Sequence, residues 1–374
     1  MNNRDRFNLI MRFETPDRYL NSEIGVWEQT IDRWENESMP HGAIKDIIML
    51  WEDDFFGLDV HKELHIEIMR PFPFREKKIL KEDDKYKVFI DEYGRQRRSL
   101  KEGAKRDFST SMDQYLDFPV KNRDSWREWK NRFIGHSNNR YPANWSRKVR
   151  EWKDRDYILF APGLGQVSFF GFLRNLMGLE GACYIFYDDT KLVEEIFDFL
   201  TEYFMDILEK ALKEVEIDWF MFWEDIAYKN APLISPDMIK KYMSPKYKII
   251  CELLRKYGIN SIFLDTDGNL EKLLPLFIEA GINGTLPIEV NAGNDVVELR
   301  KEYGKDLLML GGINKMSLSK GKKEIKEEIY TKIVPIIDKG GYIPTIDHTI
   351  PPDVPYENFL FYLEIKNKVL SGNL

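Results

Sequence analysis

The sequence predicts an α/β fold, a (β/α)8 TIM barrel with an N-terminal extension and an inserted β-hairpin region. Two observations predict it. From about residue 157 onward, short apolar runs alternate with longer amphipathic segments, and nearly every run ends in polar or acidic side chains. Repeated alternation of strands and helices implies a parallel sheet. Polar strand ends spread over many units favour a barrel over a doubly wound sheet, which concentrates its ligand residues at one switch point.

Six apolar runs are predicted to be barrel strands. Between them, residues 192–215 carry apolar side chains every three or four positions, as an amphipathic helix does. Ser235 and Pro236 predict another helix start, with Ser as the N-cap and Pro at the first helical position. A barrel needs eight strands, so two must come from the N-terminal part, and we expect one at 21–27. The six runs are 157–161, 217–223, 261–264, 283–288, 307–310 and 342–346.

The N-terminal part is predicted to contain an insertion at about residues 60–155. Alternating apolar and polar residues over 77–103 predict antiparallel hairpins. Residues 121–155 are basic and rich in tryptophan, which is also typical of nucleic-acid surfaces. The helical spacing of Trp126 and Trp129 favours an amphipathic helix, and a docking surface for an acidic partner protein stays open. Apart from this insertion, the 374 residues are predicted to form one domain.

Composition and charge narrow the functional classes. With 55 basic and 63 acidic side chains, the net charge of −8 argues against nucleic acid as the main partner. The N-terminus lacks the apolar run of a signal peptide, and the most apolar stretch, 163–187, is too polar to cross a bilayer. We therefore expect a soluble, cytoplasmic protein that binds no membrane. Cys183 and Cys251 are too few for a disulfide scaffold and are expected to be buried and inert. Four histidines are expected to be structural: His41, His61, His65 and His136.

Two aspartates and one histidine are the predicted catalytic residues. Asp265 and Asp267 are two positions apart, so in an extended chain they project to the same side. One of two close carboxylates should hold a proton nearer neutral pH. His348 follows the last predicted strand and can transfer protons near pH 7. The alternatives are a turn at Asp267-Gly268 that caps a helix beginning near Leu270, and a structural histidine.

Other strand-end residues are predicted to bind a substrate. Aromatic walls with a few polar groups suit a pocket for a small organic molecule. The alternatives are that Trp223 fills the barrel, that Asp225 caps a turn, and that Glu289 pairs with a nearby lysine. Gly311 and Gly312 are expected to form a turn, with an anion-binding backbone as the alternative. The predicted substrate-binding residues are Trp27, Glu28, Trp223, Glu224, Asp225, Tyr228, Glu289 and Asp347.

Five segments, taken together, resemble the uroporphyrinogen decarboxylase superfamily. They are the opening NRDRFNLIMRFETPDR, WED at 223–225, DTDGN at 265–269, GGIN at 311–314 and GGYIPTIDHTIPPDVPYENF at 340–359. The resemblance covers nearly the whole chain. It implies a (β/α)8 barrel with its site at the mouth and, because members are often homodimers, a homodimer.

The superfamily contains decarboxylases and corrinoid-linked methyltransferases, and the chain departs from both patterns. Decarboxylases carry an arginine-rich stretch of the type MRQAGR, which grips the carboxylates of the tetrapyrrole. Here residues 23–34 read EIGVWEQTIDRW, with Trp27 and Glu28 where the cations are expected. Some of the methyltransferases bind zinc through a His-x-Cys-Gly motif and a later cysteine. In this chain, residues 265–268 occupy the position of the motif, and His348 occupies the position of the later cysteine. Without a thiolate ligand such a zinc site would be weak, so we expect no tightly bound cofactor, and whether Asp265, Asp267 and His348 bind a metal stays open.

The resemblance implies an enzyme of the methyl-transferring branch. It would move a methyl group from a small methylated substrate to a corrinoid, such as cobalamin, on a partner protein. Asp267, His348 and Asp265 would then form the acid–base set. The first alternative is a carboxy-lyase that decarboxylates a porphyrinogen or a smaller carboxylic acid. The second is a non-catalytic barrel that binds a corrinoid or tetrapyrrole.

Overall fold

A computed structural model describes residues 1–44, 50–52, 55–101, 113–134, 137–162 and 166–373, with two β-sheets. The strands in chain order are β1 (His61–Glu63), β2 (Lys78–Glu82), β3 (Tyr86–Ile90), β4 (Gln96–Leu100), β5 (Gln114–Asp117), β6 (Ile158–Ala161), β7 (Trp219–Trp223), β8 (Ile262–Asp265), β9 (Gly284–Leu286), β10 (Leu308–Ile313) and β11 (Tyr342–Ile346). The parallel sheet has the order β1-β6-β7-β8-β9-β10-β11, and β2 to β5 form an antiparallel sheet in sequence order.

Helices follow most strands of the parallel sheet. Residues 192–214 of the predicted segment 192–215 lie in one long helix. Ser235 accepts a hydrogen bond from the backbone N–H of Met238 and caps the helix that begins at Pro236, as predicted. The α-helices are α1 (Asn3–Met11), α2 (Glu28–Asn36), α3 (Arg123–Lys130), α4 (Trp145–Lys153), α5 (Phe170–Asp188), α6 (Thr190–Glu214), α7 (Pro236–Met238), α8 (Ser244–Lys256), α9 (Leu274–Glu279), α10 (Val296–Tyr303), α11 (Lys315–Lys320), α12 (Lys322–Lys332) and α13 (Tyr356–Leu370). Within the described ranges, none of them is both long and apolar enough to cross a membrane.

All six predicted strands of the second part of the chain are present. The run at 283–288 forms a shorter strand than predicted and ends at Leu286. The strand stops short because Ile288 has a φ of 59°, a left-handed conformation that an extended strand cannot include.

The interpretation of Gly311 and Gly312 as a turn was wrong, because both lie inside β10. A Cβ atom on Gly311 would lie 1.7 Å from the carbonyl oxygen of Pro287. The Gly312 N–H donates to the same oxygen at 3.0 Å, so it is not free to bind an anion. The two glycines therefore serve a close backbone approach at the end of β9.

The described residues form a curled parallel sheet of seven strands. β1 lies at the start of the range predicted to be an insertion, so residues 61–63 of that range belong to the parallel sheet. Residues 21–27, predicted to be a strand, contribute one parallel bridge, from Val26 to Ile350. The antiparallel sheet confirms the hairpins predicted at 77–103.

The inner face of the parallel sheet packs into one apolar cluster. Trp219 of β7, Phe263 of β8 and Ile343 of β11 belong to it. Helix α1 covers the amino ends of the strands, since Phe7 joins this cluster and the Ile10 carbonyl accepts from the backbone before β11. Side chains on one face of a strand recur every second residue. The inner-face positions beyond this core are therefore at the carboxyl ends, where a barrel opens.

The inserted region packs on the outside of the parallel sheet. Trp126 and Trp129 of α3 are buried, as are Trp145 and Trp152 of α4, all within the cluster that includes the outer face of β7. Because their charged neighbours face outward, both are amphipathic helices of the kind predicted.

Candidate functional site

The three predicted catalytic residues lie together at the carboxyl ends of the strands. Asp265 is the last residue of β8, and Asp267 follows two positions later. The Nε2 atom of His348, after β11, lies 3.5 Å from Oδ2 of Asp267. Asp225, after β7, acts electrostatically on both aspartates. The site therefore joins the ends of three strands that are far apart in the sequence.

Asp265 is an acid without a partner. In the part of the chain that the structure describes, its carboxyl group accepts no hydrogen bond and forms no ion pair. Burial, together with the negative charges of Asp225 and Asp267, raises its pKa well above the ordinary value of 3.8. Burial therefore favours the protonated form of Asp265, which is the form that donates a proton.

Asp267 and His348 form an ion pair. Burial alone would raise the pKa of Asp267, but the hydrogen bond and charge of His348 outweigh it, so the pKa is lowered. Burial alone would lower the pKa of His348, but Asp267 raises it above 6.5. The pKa values of these two close aspartates are thus shifted in opposite directions, upward for Asp265 and downward for Asp267.

A glycine turn directs Asp267 into the site. Gly268 has a φ of 88°, and a Cβ atom there would lie 2.8 Å from the backbone carbon of Ala227 and the backbone oxygen of Tyr228. The loop after β7 therefore packs directly on this turn. A side chain at 268 would push the two loops apart and move the Asp267 carboxylate.

The predicted turn at 267–268 is present, but its predicted capping role was wrong. The backbone N–H of Leu270 donates to Oδ1 of Asn294 at 3.1 Å, and the following helix begins at Leu274. The Gly268 N–H donates to Oε2 of Glu289 at 3.1 Å. Asn294 also donates to the Gly268 carbonyl at 2.9 Å, so the loop after β9 fixes the turn.

Glu224 lies where a substrate cannot reach it, in contrast to its predicted role. It is 0% exposed, and its carboxylate accepts from the backbone N–H groups of Phe169 at 2.7 Å and Gly171 at 3.0 Å. Tyr247 also donates to it. Burial raises the pKa of Glu224 to about 7. Glu224 therefore fixes the first turn of α5 to the end of β7.

Asp347 has a comparable structural role, again unlike the substrate contact predicted for it. Its carboxylate is 0% exposed and accepts from the backbone N–H of Val290 at 2.9 Å and of Lys315 at 3.1 Å. It thus ties the loops after β9 and β10 to the end of β11. Burial raises its pKa, and the charge of Lys315 opposes that rise.

Two cations of the site were missed by the sequence interpretation. Arg174 of α5 donates from Nη2 to the Asp225 carboxylate at 2.9 Å, and its guanidinium lies 4.8 Å from the centre of the Trp223 ring. Nζ of Lys315 lies 3.9 Å from both Glu289 and Asp347. The alternative that Glu289 pairs with a nearby lysine is therefore confirmed. Lys315 directly follows a strand-end motif and could have been found, whereas nothing local marks Arg174.

The remaining predicted binding residues differ in exposure. Trp27 is 37% and Tyr228 is 70% exposed, whereas Trp223 is only partly exposed beneath Arg174. Glu28 is 3% exposed, and neither of its carboxyl oxygens has a hydrogen-bond partner among the residues that the structure describes. The two neighbours Trp27 and Glu28 thus occupy different environments.

The other histidines and the cysteines lie away from the Asp267–His348 pair. His61 is packed in the inner cluster of the sheet, where burial lowers its pKa to about 4. His41 pairs with Glu35 and His65 with Glu63. His136 lies outside the described residues. Burial raises the pKa of the Cys251 thiol to about 12 and also raises that of Cys183, which disfavours the reactive thiolate form of both.

The residues at the zinc motif do not form a metal-binding group. Across the described ranges, no three His, Cys, Asp or Glu side chains are placed to hold one ion. Asp267 and His348 instead pair with each other. The arrangement fits proton transfer.

Comparisons with known proteins agree with the fold. A family model described as "Uroporphyrinogen decarboxylase (URO-D)" matches residues 168–369. The uroporphyrinogen decarboxylases of Rickettsia africae (strain ESF-5) and Rickettsia conorii (strain ATCC VR-613 / Malish 7) are each 26% identical over 182 residues. The match covers 48% of this chain and 49% of each relative, so the chain spans about half the length of the curated relatives it matches.

One solved structure extends the likeness to the whole fold. A "methyltransferase from Methanosarcina mazei" matches with a TM-score of 0.66 and 12% identity, over 99% of both chains. A B12-independent methionine synthase from Shewanella sp. W3-18-1 matches with a TM-score of 0.43 and 13% identity, over 86% of this chain and 85% of that one. The first of these shares the fold of this chain.

Proposed function

The chain belongs to the uroporphyrinogen decarboxylase family, and on this premise we propose that it is a methyltransferase. It moves a methyl group from a small methylated compound to a corrinoid carried by a partner protein. The observation that supports this most directly is the carboxyl group of Asp265 at the end of β8, which has no bonded partner among the described residues and whose pKa burial raises well above 3.8. A methyl group attached to oxygen, nitrogen or sulfur leaves more easily when that atom receives a proton.

In the proposed reaction, Asp265 donates its proton to the leaving atom of the substrate as the bond from that atom to the methyl carbon breaks. The corrinoid is a second substrate that supplies the electron pair accepting the methyl group. The demethylated product leaves with the proton from Asp265. Asp267 keeps His348 protonated, so His348 can return a proton to the site for the next turnover.

The charges of the site favour a substrate with few carboxylates. Arg174 is bonded to Asp225, and Lys315 lies between Glu289 and Asp347, so each cation already faces an acid. A compound with several carboxylates would also meet Asp267, which is charged. This distribution argues against a porphyrinogen as the substrate.

A decarboxylase of a smaller acid is the second candidate, and Lys315 is the observation in its favour. Its Nζ lies 3.9 Å from two carboxylates, and among the described residues it donates no hydrogen bond. Its donors could therefore bind one substrate carboxylate. Asp265 would then protonate the carbon atom that loses carbon dioxide, because that step also needs an acid.

The test is a panel of methyl ethers, methylamines and methyl thioethers, with free reduced cobalamin as the methyl acceptor. We expect at least one compound to change the cobalt spectrum. In Asp265→Asn the rate should fall about 100-fold or more, because the general acid is lost. The matched control is Asp124→Asn, whose side chain is 89% exposed on α3, and it should keep full activity.

Each other result points to a different function. Carbon dioxide release from small carboxylic acids, without methyl transfer, would favour the decarboxylase. Tight binding of cobalamin with no turnover of any compound would favour a non-catalytic barrel. Full activity in both Asp265→Asn and His348→Ala would contradict the assigned acid–base set.

We also propose that residues 21–27 complete a (β/α)8 barrel as its eighth strand. Support comes from backbone hydrogen bonds on both sides of this segment. On one side, the Asp59 N–H, before β1, donates to Asn21 at 2.8 Å. On the other, the Ile350 N–H, after β11, donates to Gly25 at 2.9 Å. A strand in this place would close the gap between the two edges of the sheet.

A further inference from the structure

Arg174 connects three parts of the site without belonging to any strand. It lies on α5, and its Nη1 and Nη2 atoms donate to the backbone carbonyl and the carboxylate of Asp225, at 3.3 and 2.9 Å. The same guanidinium lies over the ring of Trp223 at 4.8 Å. The first turn of α5 is itself bonded to Glu224. Arg174 is thus supported by a fixed helix while it contacts the residues on either side of Glu224.

Asp225 is held in an unusual backbone conformation. Its φ is 44°, in the left-handed region that few residues other than glycine adopt. The two bonds from Arg174 reach both its backbone and its side chain, and the backbone N–H of Asp267 also donates to its carboxylate. The carboxylate is thereby kept beside Asp265, on the neighbouring strand of the sheet.

We propose that Arg174 is a positioning residue, which fixes the Asp225 carboxylate beside Asp265 and the Trp223 ring at the wall of the site. It acts on the substrate only through these side chains. This inference rests on the proposed function, because Asp265 is the proton donor there. It adds a residue that lies outside every motif by which the sequence resembles the family.

The proposal predicts the direction in which the pKa of Asp265 changes when Arg174 is removed. The charged groups that face it are Asp225, after β7, and Asp267, in its own loop. Arg174 acts on both of these acids, and His348 and Lys315 act on Asp267. If Arg174 positions Asp225, its loss lets this carboxylate move away or become protonated, and the pKa of Asp265 falls. If Arg174 contributed only its positive charge, its loss would raise that pKa.

The experiment follows the infrared carbonyl band of the protonated Asp265 carboxyl group as a function of pH, in the whole purified chain. The band is isolated by subtracting Asp265→Asn from wild type, and the double variant from Arg174→Gln. We expect the midpoint to fall by about one pH unit or more in Arg174→Gln, and to fall in Asp225→Asn as well. Arg174→Lys keeps the charge but not the two-pronged donor geometry, so it should give a smaller fall. Arg127→Gln, at an exposed arginine of α3, is the matched control and should change nothing.

An unchanged or raised midpoint in Arg174→Gln would overturn the proposal, as would a wild-type midpoint near that of an ordinary aspartate. If Arg174→Gln does not fold, as judged by circular dichroism, the midpoint of Arg174→Lys is used instead. A fall would then support the proposal, and an unchanged or raised midpoint would overturn it. The outcome does not depend on turnover. A wild-type protein inactive towards every methylated compound would refute the proposed function, while the infrared titration would still decide the role of Arg174.

Discussion

Two halves of the strand-end surface use the same residue types for different purposes. At β7 and β8, Asp225 and Asp265 lie close together, and Asp265 has no bonded partner among the described residues. At β9 to β11, Asp347 is fully buried with both oxygens bonded to backbone N–H groups. A carboxylate that receives hydrogen bonds stabilises a loop, whereas an unbonded one stores electrostatic free energy for chemistry. Position at a strand end does not distinguish these roles, but the bonding of the oxygens does.

The sharpest test of this contrast replaces one aspartate in each half by asparagine. Asp347→Asn should lower the free energy of unfolding by about 2 kcal/mol or more, because an amide nitrogen then faces a buried backbone N–H. Asp265→Asn should raise it by about 1 kcal/mol, because a poorly solvated acid is removed. Urea unfolding at neutral pH measures both. Equal losses in the two variants would remove the distinction between the halves.

The turn after β8 provides the next test, in the catalytic half. Gly268→Ala should lower the free energy of unfolding by about 2 kcal/mol, since φ is 88° and the new methyl group would meet the loop after β7. Methyl transfer should fall as well, because Asp267 moves. The control is Gly258→Ala, which has a similar φ of 85° but nothing within 4 Å of the added carbon. A similar activity loss in both variants would show that the close approach of the loops is unimportant.

The sequence predicts where the strand-end acids lie, but not most of the difference between their roles. The six strands, the long helix at 190–214 and the meeting of Asp265, Asp267 and His348 could be predicted, because apolar period and strand-end position determine them. Which acids are bonded could not. Glu224 receives its bonds from backbone N–H groups 53 and 55 positions away, and Asp347 from backbone N–H groups 32 and 57 positions away. Such partners depend on how loops pack, which local pattern does not encode.

A smaller effect on the free energy of unfolding is expected from the ion pair of Asp267 and His348. The lowered pKa of Asp267 contributes stability above about pH 3.8, which is lost as pH falls through its folded value. The raised pKa of His348 contributes stability below about pH 6.5, which is lost as pH rises through its folded value. The free energy of unfolding of wild type should therefore exceed that of His348→Gln most between about pH 3.8 and pH 6.5. The difference should be at most about 1 kcal/mol, because both side chains are partly exposed. Unfolding free energies measured from pH 3 to pH 9 check this, and a difference that does not vary with pH would contradict the ion pair.

The smallest effect on stability is expected at Lys315, which separates the two proposed functions. Its Nζ lies 3.9 Å from Glu289 and from Asp347, which is long for an ion pair, so Lys315→Met should change the free energy of unfolding by less than about 0.5 kcal/mol. Methyl transfer from a neutral compound should be nearly unaffected. Decarboxylation should fall strongly, because the substrate carboxylate would lose its cation. Lys320→Met, at an exposed lysine on the same helix, is the control for both measurements. A large loss of stability in Lys315→Met alone would instead assign Lys315 to the scaffold around Asp347, and the two halves of the surface would then differ even more.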